Sequence, residues 1–104
     1  MDVQDVWALL EQHQGEQFYT AKCLPFCYII RGGELFVDRR SKSITISTVA
    51  AALQKIAARQ AAGEAIAGPK KIGCYGASYL YPMFLNLGII PQPETGKEIL
   101  GNTA

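Results

Sequence analysis

"FCYIIRGGELFVDR", residues 26–39, decides the fold. Two apolar runs flank Gly32-Gly33, and glycine supplies the positive φ that a two-residue hairpin turn requires. That turn fixes the register, setting Arg31 opposite Glu34, Ile30 opposite Leu35, Ile29 opposite Phe36 and Tyr28 opposite Val37. Side chains alternate along a strand, so Phe26, Tyr28, Ile30, Leu35 and Val37 share one face, the core face. Ile29 and Phe36 fall on the other face, which leaves open whether that side is covered too.

Upstream, "QFYTAKCLPFCYII" (17–30) is rich in strand formers. Pro25 makes the start of its main run an edge or an irregular entry. Before it, residues 2–13 read as an amphipathic helix, with Asp2 as N-cap and Val3, Val6, Trp7 and Leu10 on one face. Gln14 and Gly15 end it.

Downstream, "RRSKSITISTVAAALQKIAARQAAG" (39–63) predicts a long helix. Ile46, Val49, Leu53, Ile56 and Ala57 fall at core spacing, Ser43 or Thr45 can cap the start, and Gly63 can close the end. After a loop around "EAIAGP", Lys71–Tyr75 suggest a short strand. A last helix is expected from about Ser78 to Leu87, with Pro82 near its first turn and Gly88 as the residue after its end. Ile89-Ile90 can pack back on it.

These elements describe an α+β fold in a single small domain, residues 1–92. An N-terminal helix, a β-hairpin or small antiparallel sheet, a long central helix and a short C-terminal helix follow in order. With few strands, the helices pack mostly on one face of the sheet. Residues 93–104 read as a mobile C-terminal tail.

A chain of 104 residues is too short for two independent cores, and a composition half apolar and under a fifth charged suits one packed domain. A formal charge of +1 excludes a global attraction for nucleic acid or acidic membrane, so such a role must rest on a local patch. Three cysteines cannot all pair, and the acidic opening "MDVQDVWALLEQ" has no secretory pattern. No run is long and apolar enough to span a membrane. The expected location is the cytoplasm.

Two basic stretches carry the candidate chemistry. Arg39, Arg40, Lys42, Ser43 and Thr45 precede the long helix, where cations and hydroxyls beside exposed N–H groups suit phosphate oxygens. The competing reading is a solvated loop whose charges discourage edge pairing. The second stretch, "GPKKIGCYGASYLYP" (68–82), sets Lys70 and Lys71 before Gly73, Gly76 and Ser78. Its spacing matches neither the Gly-Lys-Ser/Thr phosphate loop, the three-glycine dinucleotide fingerprint nor the Gly-x-Ser-x-Gly elbow. It fits a tight turn into a helix with Ser78 as cap, or a weak phosphate cradle. Tyr75, Tyr79 and Tyr81 are stacking or interface candidates, since Tyr79 and Tyr81 cannot share one helical face.

Cys23, Cys27, Cys74 and His13 lack the paired short spacings of a structural zinc site, so no metal or other cofactor is expected. With one histidine and scattered acids, no nucleophile–base pair can be placed, and a non-catalytic role is favoured. The two main helices are separated by far more than the short turn of a helix-turn-helix. The first functional reading is a regulatory or nucleic-acid-associated domain acting through the basic hairpin–helix junction. The alternatives are a protein-interaction or homodimerisation module and a binder of a phosphorylated small molecule at Gly73, Gly76 and Ser78.

Overall fold

The computed structural model describes residues 2–39 and 42–91. Helix α1 spans Val3–Gln12. A two-stranded ribbon pairs β1 (Phe18–Tyr19) with β2 (Pro25–Phe26). A three-stranded antiparallel sheet follows in the order β3 (Tyr28–Arg31), β4 (Glu34–Val37), β5 (Ile44–Thr45). Helix α2 runs Ile46–Ala61, a 3₁₀ turn spans Pro69–Lys71, and α3 covers Ala77–Asn86. Three helices and two small antiparallel sheets form one α+β domain around one apolar core.

The β3–β4 hairpin has the register its turn dictates, from Arg31 opposite Glu34 to Tyr28 opposite Val37. Gly32 and Gly33 take φ of +56° and +81°, a conformation that an L side chain resists. Phe26, Tyr28, Leu35 and Val37 are buried and Ile30 half-buried, whereas Ile29 on the opposite face is 41% exposed. The helices therefore cover one face only. The connection after α1 runs beside β3, where Gly15 N–H donates to the Tyr28 carbonyl at 2.9 Å. Ile30 N–H donates to Gln14 Oε1, also at 2.9 Å.

Val6, Trp7 and Leu10 carry α1 into the core, and the buried Tyr28 hydroxyl donates to the Leu10 carbonyl at 2.7 Å. The ring of Phe18 lies 5.9 Å from that of Phe26 and 5.7 Å from that of Tyr28. Tyr79 of α3 meets Phe26 edge-on at 5.1 Å, a geometry favoured by the ring quadrupoles. In α2 the buried residues are Val49, Ala52 and Ile56. Ala57, expected inside, is exposed, while Ala52 takes the inward position at the i+3 spacing from Val49.

Several local expectations are corrected. Lys71–Tyr75 form no strand; Ile72 N–H and Gly73 N–H both donate to the Pro69 carbonyl, closing a tight turn. Proline at the first position of that turn loses no bond, and the segment satisfies itself without a neighbouring strand. β5 went unforeseen because it is two residues long and merges directly into α2. Pro82 stands inside α3 and is buried. Its missing N–H leaves the carbonyl of Ser78, four residues earlier, without that intrahelical partner. At the far end, Ile89 N–H and Gly88 N–H donate to the Phe84 and Leu85 carbonyls, and Ile90 turns back into the core. Arg40 and residues 93–104 lie outside the described residues.

Candidate functional site

The two basic stretches meet. Lys42, just before β5, holds its Nζ 4.7 Å from the centre of the Tyr75 ring. The Tyr75 hydroxyl donates to the Lys42 backbone carbonyl at 3.0 Å. The next contact inward is between Ile44 and Gly76, the left-handed N-cap of α3 with φ +78°. Ile44 fills the space a side chain at position 76 would need. The junction before α2 and the turn before α3 thus meet in a ridge at Lys42 and Tyr75.

In the segments that meet there, Arg39, Lys42, Lys70, Lys71 and Ser78 are exposed. Lys71 Nζ lies 3.8 Å from Glu64 Oε1, which also accepts from Arg59 at 2.8 Å. Lys55 of α2 points toward the same turn: its Nζ would lie 3.4 Å from a Cβ placed on Gly73. Its charge also opposes the burial that pushes the Cys74 thiol up.

Other expected contributors have structural duties. Thr45 caps α2, its Oγ1 accepting from Thr48 N–H at 3.3 Å. Ser43 Oγ donates to Glu34 Oε1 at 2.6 Å. Gly76 serves packing rather than a phosphate cradle, since its carbonyl takes the Tyr79 N–H and the Cys74 carbonyl takes that of Ala77. Two donors of the first turn of α3 are therefore already bonded. Ser78 is the second residue of α3 rather than its cap. Tyr79 and Tyr81 are 8% and 7% exposed, so neither offers an open ring face for a base to stack on. Tyr75, half-buried, is the remaining aromatic of the three.

Thr20, Lys22 and Leu24, outside the expected set, join Lys70, Ser78 and Tyr79 of that set. Lys22 and Lys70 line a cleft of about 370 Å³, together with Thr20, Leu24, Ser78 and Tyr79. The signal for the surface is charge segregation along the chain. Residues 2–21 hold Asp2, Asp5, Glu11 and Glu16 with no lysine or arginine; residues 39–71 hold Arg39, Arg40, Lys42, Lys55, Arg59, Lys70 and Lys71 against Glu64 alone. A near-neutral total concealed a polar distribution.

The cysteines are free thiols, and among the described residues no three His, Cys, Asp or Glu side chains gather to hold a metal. Cys27 Sγ donates to Asp38 Oδ2 at 3.6 Å; burial first, then the Asp38 charge and this bond, raise its pKa and disfavour the thiolate. His13 pairs with Glu16 at 2.8 Å on the surface. No helix among the described residues is long and apolar enough to cross a membrane. No family model, curated protein or solved structure matches the chain, so a functional reading has to rest on this basic ridge and its cleft.

Proposed function

We propose that the domain is a non-catalytic, nucleic-acid-associated module that engages phosphates through the ridge joining Arg39 and Lys42 to Lys70 and Lys71. The contact of Lys42 with Tyr75 carries this reading, because it makes two basic stretches distant in sequence into one surface. A phosphodiester strand needs several cations in a row, and each neutralised phosphate releases counterions. The half-buried Tyr75 ring orients the Lys42 ammonium, and a cation held over a ring keeps its charge available to an anion. The reducing environment of the cytoplasm suits the three free thiols.

The test is retention on an immobilised single-stranded oligonucleotide at increasing salt. The parent protein is expected to elute early as salt rises. Arg39→Ala/Lys42→Ala/Lys71→Ala should lower the slope of log affinity against log salt by about 2, at roughly 0.7 for each phosphate that the variant leaves unneutralised. Absence of retention by the parent, or an unchanged slope in the variant, overturns the reading.

A second reading, a protein-interaction module acting as a homodimer, draws on the uncovered sheet face, where exposed Ile29 stands opposite Phe36. The tyrosine-bearing helix does not support it, since Tyr79–Phe84 are all buried. Sedimentation at high micromolar concentration decides: a monomer removes this reading.

A further inference from the structure

We infer that the cleft between the β1–β2 turn and the start of α3 binds a phosphomonoester, with Lys22 and Lys70 on the phosphate and the organic body on Leu24, Pro69 and Tyr79. The cleft, about 370 Å³, falls within the roughly 300–1,000 Å³ of small-molecule sites. Its two lysines come from different segments and no carboxylate lines it. Among the described residues neither lysine forms an ion pair. Two unneutralised ammonium groups on one concave surface repel each other, and a bound anion relieves that repulsion.

The number of lysines selects the anion. A phosphomonoester carries about −1.5 to −2 at pH 7, matching two lysines, whereas a carboxylate or a backbone phosphodiester brings a single charge. Hydroxyls complete the polar end. Thr20 Oγ1 accepts from Leu24 N–H at 3.1 Å and keeps its own proton to donate, and Ser78 is exposed at the rim. Leu24, Pro69 and Tyr79 give the rest of the cleft an apolar wall, so the ligand is amphiphilic, with a ring or chain beyond its phosphate.

The walls are held in place. Thr20 N–H donates to the Leu24 carbonyl at 3.0 Å, Cys23 N–H donates to the Thr20 carbonyl at 2.8 Å, and Tyr79 is braced by Phe26. Little ordering is left for a ligand to impose on these walls. The monoester can belong to a free nucleotide or to the 5′ end of a strand lying on the neighbouring ridge.

The experiment is an amide-shift titration of the isotopically labelled full chain with adenosine monophosphate, inorganic phosphate and adenosine. The expected result is saturable shifts at Lys22, Lys70, Ser78 and Tyr79 with adenosine monophosphate, weaker ones at the same amides with phosphate, and none with adenosine. Lys22→Ala/Lys70→Ala should weaken adenosine monophosphate at least tenfold while its spectrum stays that of the folded domain, and Lys22→Arg should retain binding. No saturable shift with either phosphate probe, equal shifts with adenosine, or an unchanged affinity in the double variant overturns the assignment. A 5′-phosphorylated oligonucleotide binding more tightly than adenosine monophosphate identifies the strand end as the source; the reverse order identifies the free molecule. The variant Arg39→Ala/Lys42→Ala/Lys71→Ala keeps Lys70, the one residue the two sites share, and should leave adenosine monophosphate affinity unchanged, so that failure of the ridge and failure of the cleft are distinguishable.

Discussion

Gly76 lies so close to Ile44 that a Cβ on the glycine would overlap Ile44 Cδ1 and fall 2.8 Å from Cγ1. Ile44 is 2% exposed, so its side chain has little room to retreat. Gly76→Ala should therefore destabilise the domain by about 2–4 kcal/mol, combining overpacking with a left-handed φ. Ile44→Val removes Cδ1, so the cost of Gly76→Ala should be smaller in that background. Urea unfolding of the four proteins of the cycle measures the coupling. Strictly additive costs would show that the clash is relieved elsewhere.

Tyr28 should make the domain sensitive to alkali. Burial, reinforced by the charge of Glu16, pushes its hydroxyl well above the ordinary tyrosine value of about 10. Above that value the unfolded chain releases this proton while the folded one keeps it, so stability falls as pH rises. Burial of Tyr81 acts in the same direction. Tyr28→Phe loses the bond to the Leu10 carbonyl, about 1–2 kcal/mol at neutral pH. Its stability should then decline less steeply above pH 10. Denaturant midpoints at several pH values check this, and parallel slopes would contradict it.

The hydroxyls before α2 should separate by function. Thr45→Ala removes an N-cap and should cost about 1 kcal/mol, whereas Ser43→Ala, losing an exposed bond to Glu34, should stay within about 0.5 kcal/mol. Neither should change oligonucleotide retention. A drop in retention with Thr45→Ala and no change in thermal midpoint would reassign that hydroxyl to the ligand.

The thiols should react in a set order. Cys23 is exposed, while Cys27 and Cys74 are half-buried and burial raises their pKa values, disfavouring the thiolate. Iodoacetamide near pH 8 should label Cys23 first, as followed by peptide mass spectrometry. Asp38→Asn removes the charge that disfavours the Cys27 thiolate and should speed labelling there. An unchanged Cys27 rate would show that burial alone governs it.

The hairpin was legible because Gly32-Gly33 and strict alternation leave one register, and α1 because its apolar residues keep helical spacing. Elements fixed by distant partners were not. β5 is two residues whose pairing depends on β4, and the turn at Pro69 closes on its own carbonyl, so apolar residues around Ile72 mimic a strand. Pro82 lies on a buried side of α3, a placement set by packing against the core and not by the preference of proline for a first turn. At the site, Lys42 and Tyr75 carry no mark in sequence of their contact, because neither has a period or motif that names the other. Lys22 escaped notice as a lone cation in a turn; only the folded chain brings it beside Lys70.

The connection that lies along β3 has a consequence for how copies of this chain behave in concentrated solution. A strand at the border of a sheet offers its outward N–H and carbonyl groups to any extended segment that arrives. Here the carbonyl of Tyr28 and the N–H of Ile30 are already taken, by Gly15 and by the Gln14 side chain. An incoming strand would have to displace both, and the glutamine amide offers no repeating backbone on which to continue. The domain thus stops its own sheet from growing by stacking molecule on molecule through that border, with a single side chain acting as the terminator.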